Sequence, residues 1–203
     1  MSNIVGKRIE KYHIDELLGE GGMGEVYRAH DVNLRRLVAL KVLHGHLARR
    51  PNFQRRFLQE AQAAARLDHA GIAKIFDFGR RDDFLYMVME YVPGGSFGDY
   101  IRRLQSEGKM VQLQEILYLL AQAAEALDYA HRKQIVHCDV KPDNLLLKRL
   151  EKPDRPGEPA LRTLISDFGL AKLLQEDPQT ATGAFMGTLP YMAPEQALGE
   201  PLD

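Results

Sequence analysis

The sequence is poor in cysteine. It contains one cysteine, Cys138, among 203 residues, so an internal disulfide and a zinc site built from cysteines are both excluded. His44 and His46 lie two residues apart, but no third metal ligand is near them in the sequence, and we expect both at the solvated surface. The hydrophobic content of 45% is enough for an ordinary core.

Excess charge and long apolar runs are also lacking. The formal net charge is −1, which gives no reason to expect binding to nucleic acid or to an anionic membrane. No stretch approaches roughly 18 uninterrupted apolar residues, and the N-terminal segment MSNIVGKRIEKY lacks the apolar core of a signal peptide. These absences predict a cytoplasmic protein, with one domain or a small two-lobed one and no membrane segment.

The segment LGEGGMGEVYRA, Leu18–Ala29, is rich in glycine. Gly19, Gly21 and Gly24 fit the pattern G-x-G-x-x-G, which lets backbone N–H groups close over phosphates. In a dinucleotide-binding Rossmann fold these glycines open a helix, whereas the residues that follow here predict a strand. A second predicted strand, RRLVALKVL, makes the segment a β-hairpin and favours the other use of the pattern, a nucleotide-binding loop between strands.

Two charged residues occupy positions where apolar ones are expected. Lys41 lies within the apolar strand LVALKVL, and Glu60 lies on the predicted apolar stripe of a helix that Pro51 starts. A lone glutamate usually reaches solvent from the edge of such a stripe, but a buried lysine has the same need for a partner. We therefore expect an ion pair that holds Lys41 within reach of nucleotide phosphates. The other stripe residues are Phe53, Phe57, Ala64 and Leu67.

The segment IVHCDVKPDNLLL, Ile135–Leu147, contains polar residues between two apolar runs that predict strands. Phosphoryl transfer needs a carboxylate for the attacking hydroxyl, a cation near the phosphoryl group and an oxygen ligand for Mg²⁺. Asp139, Lys141 and Asn144 supply these types in that order. Asp167, at the end of the apolar strand in LISDFGLAK, is placed to be a second Mg²⁺ ligand. For Asp139 alone, capping of a turn is the simpler interpretation.

These motifs together resemble the eukaryotic-type serine/threonine protein kinases, and GGMGEVYRAHD is similar to the bacterial members. The resemblance extends from about Tyr12 to the end of the chain and includes DFG at Asp167–Gly169 and APE at Ala193–Glu195. It implies an α+β, two-lobed protein kinase fold with ATP at the hinge. An antiparallel β-sheet N-lobe would span about 1–89, the hinge about 90–93, and a partial helical C-lobe about 94–203. It also implies a catalytic domain that is truncated after APE.

The resemblance assigns a role to each matching residue. Lys41, held by Glu60, would bind the α and β phosphates of ATP, and Asp139 would be the catalytic base, with Lys141 beside it. Asn144 and Asp167 would bind Mg²⁺. Met89 would be the gatekeeper of the adenine pocket, although simple core filling is the alternative. The full nucleotide-binding set is Leu18, Gly19, Gly21, Gly24, Val26, Ala39, Lys41, Met89, Glu90, Val92, Asn144 and Asp167, with Glu90 and Val92 acting through their backbone.

Several positions bear on specificity and regulation. Lys141 and Thr188 follow the family's serine/threonine pattern, which implies a protein substrate with a serine or threonine acceptor. Thr180 and Thr182 resemble activation-loop phosphorylation sites, or are simply solvated loop residues. Cys138 replaces the arginine of H-R-D and cannot pair with a phosphate, so we hypothesise less dependence on loop phosphorylation. We expect a buried, inert thiol. The long segment KRLEKPDRPGEPALRT predicts an exposed loop.

Two classes of function remain open. The first is an enzyme that transfers the γ-phosphoryl group of ATP to proteins, and the second is a catalytically inactive, pseudokinase-like fragment that binds nucleotide or a partner. Lys41, Asp139 and Asp167 favour the first class. The family's further helices favour the second, because without them the apolar stripe of LQEILYLLAQAAEALDYAHRK stays uncovered. That stripe is Leu113, Ile116, Leu117, Leu120, Leu127 and Ala130, and nothing in the sequence indicates the oligomeric state.

Overall fold

The structure is a computed structural model that describes residues 4–81, 84–153, 158–168 and 189–198. Gly169, Thr180, Thr182 and Thr188, for which the sequence made predictions, lie outside these residues. Contacts between Cα atoms divide the described residues into two compact units, one containing 4–66 and 74–91 and the other containing 67–73, 92–168 and 190–198. Across the described ranges, no helix has the length and apolar content needed to span a bilayer.

The first unit is built on an antiparallel sheet in which six described strands follow the order β1-β2-β3-β4-β6-β5. The strand after the glycine segment, β3, pairs with β4 along its whole length, which confirms the predicted hairpin. Asp31 closes the turn between them, because its Oδ1 accepts the N–H groups of Asn33 and Leu34 at 3.1 Å each. The strands are β1 Arg8–Ile9, β2 Tyr12–Gly21, β3 Gly24–Asp31, β4 Arg36–Leu43, β5 Ile75–Arg81 and β6 Phe84–Glu90.

The two faces of this sheet have different compositions. On one face, Tyr27, Leu40 and Val88 lie opposite one another on three neighbouring strands and are all buried. Since side chains alternate along a strand, the residues beside them point to the other face, where Lys41 lies. The first face is a hydrophobic core formed by Ile9, Tyr12, Ile14, Tyr27, Ala29, Val38, Leu40, Val42, Tyr86 and Val88.

Two helices complete the first unit, α1 at Gly45–Ala48 and α2 at Pro51–Ala64. Pro51 begins α2 as predicted, because its fixed φ suits the first helical position. The helix ends sooner than the apolar pattern suggested, since residues 65–66 form a turn. Its buried residues are Phe53, Phe57, Ala61 and Ala64. Glu60 is half-buried beside this stripe rather than at its centre.

The second unit is mainly helical. Its elements are α3 Phe97–Ser106, α4 Leu113–Arg132, β7 Leu145–Arg149, β8 Leu161–Ile165 and α5 Pro194–Leu198. Helix α4 packs on β8, where the hydroxyl of Thr163 donates to the Leu119 carbonyl at 3.1 Å. The buried side of α4 is Leu119, Ala123, Ala126 and Ala130. Ala130 therefore belongs to the packed side, while Leu113, Leu117 and Leu120 of the predicted stripe are 70%, 59% and 44% exposed.

Strands β7 and β8 form a hairpin whose register runs from Leu145 opposite Ile165 to Arg149 opposite Leu161. Both ends of the segment predicted to be an exposed loop are therefore paired strands, and that expectation was wrong for 148–149 and 161–163. The predicted strand before the polar loop is also absent from the described residues. Residues 135–137 follow directly on the end of α4, where Gln134 turns the chain with a φ of 60°, and they pair with no other strand.

Gly24 and Gly21 test whether the space around a glycine decides its contribution to stability. They belong to the same motif but have different surroundings. A Cβ on Gly24 would lie 2.0 Å from the backbone oxygen of Val42, whereas one on Gly21 would meet nothing within 4 Å. We expect Gly24→Ala to lower the free energy of unfolding by about 1–3 kcal/mol. Gly21→Ala should change it by less than about 0.5 kcal/mol. Urea unfolding of both variants measures this, and equal losses would contradict it.

Candidate active site

The polar residues predicted to act together lie in the loop that follows α4. Asp139 and Lys141 are brought side by side, and Pro142–Asn144 form a 3-10 turn in which the Asn144 N–H donates to the Lys141 carbonyl at 3.0 Å. Pro142 suits the first position of this turn because its φ is fixed and it has no N–H to satisfy. The turn delivers the chain directly into β7, so the loop is anchored to the hairpin.

The carboxylate of Asp139 is oriented by two neighbours. Its Oδ2 lies 2.8 Å from the Lys141 ammonium and accepts a 3.0 Å hydrogen bond from the side-chain amide of Asn144. The side chain is only 10% exposed. Its other oxygen, Oδ1, is buried and has no hydrogen-bond partner among the residues that the structure describes. A buried carboxylate oxygen without a partner is costly, and this one is available to accept a proton.

Asn144 connects this carboxylate to the end of β8. Its side-chain amide also donates to the Asp139 carbonyl at 2.7 Å, and its own carbonyl accepts from the backbone N–H and the hydroxyl of Ser166, at 3.0 and 3.3 Å. Asp167 is the next residue and has a φ of 65°, a left-handed conformation that is uncommon for a residue other than glycine. The hairpin register thus brings Asn144 and Asp167 to the same end of the two strands.

The oxygens of Asn144 and Asp167 are of the type that Mg²⁺ prefers. Within the described parts of the chain, no group of three or more histidine, cysteine, aspartate or glutamate residues forms a metal cluster. An amide and a carboxylate at one place fit an ion that takes its remaining ligands from phosphates and water. They do not fit an ion held in an all-protein cage.

His137, which the sequence analysis did not select, connects the same segments. Its Nδ1 is 3.1 Å from the Asp139 backbone N–H, and its Nε2 is 2.8 Å from the Ser166 carbonyl. Nδ1 must accept the hydrogen bond from the Asp139 N–H, and Nε2 must donate one to the Ser166 carbonyl. The ring is therefore neutral, with its proton on Nε2. The ring is 1% exposed and contacts Phe168 edge-on at 4.6 Å. Burial lowers its pKa, against the opposing hydrogen bond to Ser166.

Cys138 is half-buried, so the expectation of a buried thiol was wrong. The residue adopts a φ of 64°, and its Sγ lies 3.7 Å from the Val136 carbonyl. Its own carbonyl accepts a 2.8 Å hydrogen bond from the side-chain amide of Gln196 in α5.

Helix α3 contacts the same loop through a charged pair. The guanidinium of Arg102 donates to Asp99 on its own helix and to Asp143 in the 3-10 turn, at 2.7 and 3.0 Å. Both partners are half or more exposed, so solvent screens the attraction and it adds little to stability. A close approach reinforces it, since a Cβ on Gly98 would lie 2.3 Å from the Asp143 carboxylate.

Several of the predicted nucleotide-binding residues of the first unit share one face of its sheet, whereas Glu90 lies opposite Val38 on the other face. Gly19 pairs with Val26, Val26 with Lys41, and Lys41 with Met87, and directly opposed residues point to the same side. Lys41 is 8% exposed. Ala39 and Met89 form the next pair on that face and are also buried, whereas Leu18 is 43% exposed. The Lys41–Glu60 ion pair stays a prediction.

Backbone groups of the predicted hinge and of the glycine segment make hydrogen bonds to other parts of the chain. The Glu90 N–H donates to the Lys74 carbonyl at 2.8 Å. His44, expected to be simply solvated, is half-buried, and its Nε2 lies 3.2 Å from the Gly21 carbonyl. In the second unit, Val92 is buried and its carbonyl accepts from the Gly95 N–H at 3.3 Å.

Sequence reasoning missed His137, Ser166 and Gln196. The position of His137 next to Cys138 and Asp139 was a usable signal, because a histidine between an apolar run and a catalytic carboxylate has two ring nitrogens to satisfy. Gln196 gave no signal, since its partner lies 58 residues away in the sequence.

Comparison with known proteins identifies one family and several relatives. A family model described as "Protein kinase domain" matches residues 12–201. The chain is 39% identical over 192 residues to the serine/threonine-protein kinase PknJ of Mycobacterium tuberculosis, which is 95% of this chain and 31% of PknJ. It is 40% identical over 197 residues to the serine/threonine-protein kinase PrkC of Bacillus subtilis, 97% of this chain and 28% of PrkC. The chain thus spans less than a third of each of these relatives.

A solved structure of a kinase domain is also similar to this chain. The crystal structure of the Mycobacterium tuberculosis PknI kinase domain superposes with a TM-score of 0.72 at 31% identity, covering 100% of this chain and 71% of that one. This likeness confirms the predicted α+β, protein-kinase-like fold.

The hydrogen bonds of His137 predict its titration. The ring should stay neutral with its proton on Nε2, because Nδ1 accepts from Asp139 and burial lowers the pKa. Two-bond ¹⁵N–¹H spectra recorded at about pH 7.5 should show an unprotonated Nδ1, and on acidification this nitrogen should take up its proton at a lower pH than a free imidazole does. The exposed ring of His131 serves as the comparison in the same spectra. A proton on Nδ1 at the starting pH would contradict the assignment.

The same lowered pKa predicts a pH dependence of stability. A depressed pKa in the folded state contributes stability that is complete above the unfolded value of about 6.5 and is lost as the pH falls below it. The free energy of unfolding should therefore fall more steeply in the wild type than in His137→Asn as the pH is lowered below about 6.5. His131→Asn is the matched control and should behave like the wild type.

Proposed function

The chain belongs to the protein kinase domain family, and on that premise we propose that it transfers the γ-phosphoryl group of ATP to serine or threonine hydroxyls of proteins. The observation that carries this proposal is the Asp139 carboxylate, oriented through Oδ2 and with a buried Oδ1 that has no hydrogen-bond partner among the described residues. A module that only bound a nucleotide or a partner would have no use for such a base. We therefore favour the enzyme over the non-catalytic alternative.

Asp139 acts as the base in this proposal. Its Oδ1 accepts the hydrogen bond of the substrate hydroxyl and takes the proton as the oxygen attacks phosphorus. The bonds from Lys141 and Asn144 to Oδ2 hold the carboxylate in one rotamer, so that Oδ1 keeps its direction. Because the carboxylate is already fixed before substrate arrives, the reaction pays little to orient it.

Lys141 has a second role. Its ammonium lies 2.8 Å from Oδ2 of the base, and the side chain is 20% exposed, so it can also meet an incoming phosphoryl oxygen. A cation there stabilises the negative charge on the oxygens of the transferring group. The same ion pair also holds the Asp139 carboxylate in place beside the ammonium.

The nucleotide and metal contacts are proposed on residue chemistry. Lys41, supported by Glu60, binds the α and β phosphates, and Gly19 and Gly21 leave room for backbone N–H groups to approach them. Leu18, Val26, Ala39 and Met89 provide the apolar surface for adenine, and Glu90 and Val92 provide backbone groups. Asn144 and Asp167 would hold Mg²⁺, which when bound neutralises phosphate charge. Gly24, in contrast, has a packing role. We also propose a cytoplasmic location, where ATP is available.

Asp139→Asn tests the base. The substitution removes the proton acceptor but keeps the shape of the side chain, so we expect kcat to fall by about 10²–10⁴-fold. The affinity for ATP should change little. Incorporation of labelled phosphate into a serine- and threonine-rich protein measures the first, and fluorescence of a bound nucleotide analogue measures the second. Asp128→Asn, on the exposed surface of α4, is the matched control, and an equal loss there would contradict the assignment.

Removal of metal tests the second part of the proposal. A chelator should abolish phosphate transfer without changing the circular dichroism of the chain, since the described residues form no metal cluster that could stabilise the fold. Asp167→Asn should raise the Mg²⁺ concentration for half-maximal activity by about tenfold or more. An unchanged Mg²⁺ requirement in this variant would remove Asp167 from the proposed ligands.

A further inference from the structure

The peptide group that joins Cys138 to Asp139 is held at both of its polar ends by side chains. Its N–H, which belongs to Asp139, donates to Nδ1 of His137 at 3.1 Å. Its carbonyl, which belongs to Cys138, accepts from Nε2 of Gln196 at 2.8 Å. Because this peptide precedes the Cα of the proposed base, its orientation sets where the Asp139 side chain begins.

The two contacts differ in origin. His137 lies in the same loop, whereas Gln196 lies in α5, 58 residues away from Cys138 in the sequence. The Gln196 side chain is half-buried, which restricts the water that could replace it at the carbonyl. The carbonyl of Cys138 thus receives a fixed donor from a separate helix of the second unit.

The conformation of Cys138 explains why such a donor is needed. A φ of 64° is left-handed, and a residue with a Cβ stays in that region only where its surroundings hold it. The thiol itself makes a long contact of 3.7 Å to the Val136 carbonyl. Rotation about the N–Cα bond of Cys138 would relieve the strain, but it would carry the Cys138 carbonyl away from Gln196 and the Asp139 N–H away from His137, and it would turn the base from its direction.

We propose that Gln196 is a positioning residue, which fixes the Cys138–Asp139 peptide and through it the direction of the catalytic carboxylate. This role rests on the proposed function, because it has catalytic meaning only if Asp139 is the base. The amide of Gln196 acts as donor, so the isosteric Gln196→Glu replaces the donor by an ionised acceptor facing the Cys138 carbonyl. Gln196→Met keeps length and volume and removes the donor alone.

The expected effect falls on the chemical step. Both variants should lower kcat by about ten- to a hundredfold, because a base displaced by a fraction of an ångström transfers protons poorly. The KM for ATP should change by less than about twofold, since the hydrogen bond that the Gln196 side chain makes within the described residues goes to Cys138 and not to a proposed nucleotide-binding residue. Gln114→Met, at an exposed position on α4, is the matched control and should leave kcat unchanged.

A readout that does not depend on activity is available because the chain has one cysteine. Labelling cysteine with ¹³C at the carbonyl gives one NMR signal, that of the hydrogen-bonded Cys138 carbonyl. We expect this signal to move upfield in Gln196→Met and Gln196→Glu, as for a carbonyl that loses its donor, and to stay in place in Gln114→Met. Solid-state dipolar recoupling in the wild type, between this carbon and the ¹⁵N of glutamine side chains, detects the contact without any variant.

The outcomes separate the two proposals. A shifted carbonyl signal with a lower kcat and an unchanged KM for ATP supports the positioning role. An unshifted signal, no dipolar contact in the wild type, or an unchanged kcat in both variants overturns it. A wild-type chain that binds Mg²⁺-ATP but transfers no phosphate overturns the proposed function instead, and the carbonyl signal still decides whether Gln196 holds the peptide.

Discussion

The second unit depends on the antiparallel register between β7 and β8. With Leu145 opposite Ile165, the residues just outside the paired strands, Asn144 and Ser166, must also face one another, and their backbones bond at 3.0 Å. Asn144 then reaches back to Asp139, and Asp167 follows Ser166. A shift of the register by one residue would separate the groups that this site brings together, so the geometry of the proposed chemistry is set by an ordinary strand pairing.

In the sheet of the first unit, side chains alternate between the two faces, and this alternation also decides where the proposed functional residues lie. Tyr27, Leu40 and Val88 fill the hydrophobic core on one face, which leaves the intervening positions free to carry Lys41 and its apolar neighbours. The core therefore supports the face proposed to bind nucleotide without including it. Each unit places its reactive side chains on the positions next to those that stabilise the fold.

Much of this was readable from the sequence because the signals were local. The glycine hairpin, the start of α2 at Pro51 and the grouping of Asp139 with Asn144 follow from turn chemistry and spacing within a few residues. The errors came where a partner distant in the sequence decides the outcome. Pairing across the hairpin turned a predicted loop into strands at Arg149 and Thr163, and the donor from α5 to the Cys138 carbonyl had no counterpart in any local pattern.

The open surroundings of Gly19 and Gly21, against the tight contact at Gly24, have a consequence for how this sequence can drift. If the first two glycines serve the proposed nucleotide site, a gene copy relieved of nucleotide binding could replace both, since a Cβ at either position would meet nothing within 4 Å. Replacement of the third would still cost stability, because a Cβ there would meet the Val42 backbone. A descendant that keeps Gly24 but has other residues at Gly19 and Gly21 would therefore indicate a lineage that lost nucleotide binding while it kept the fold.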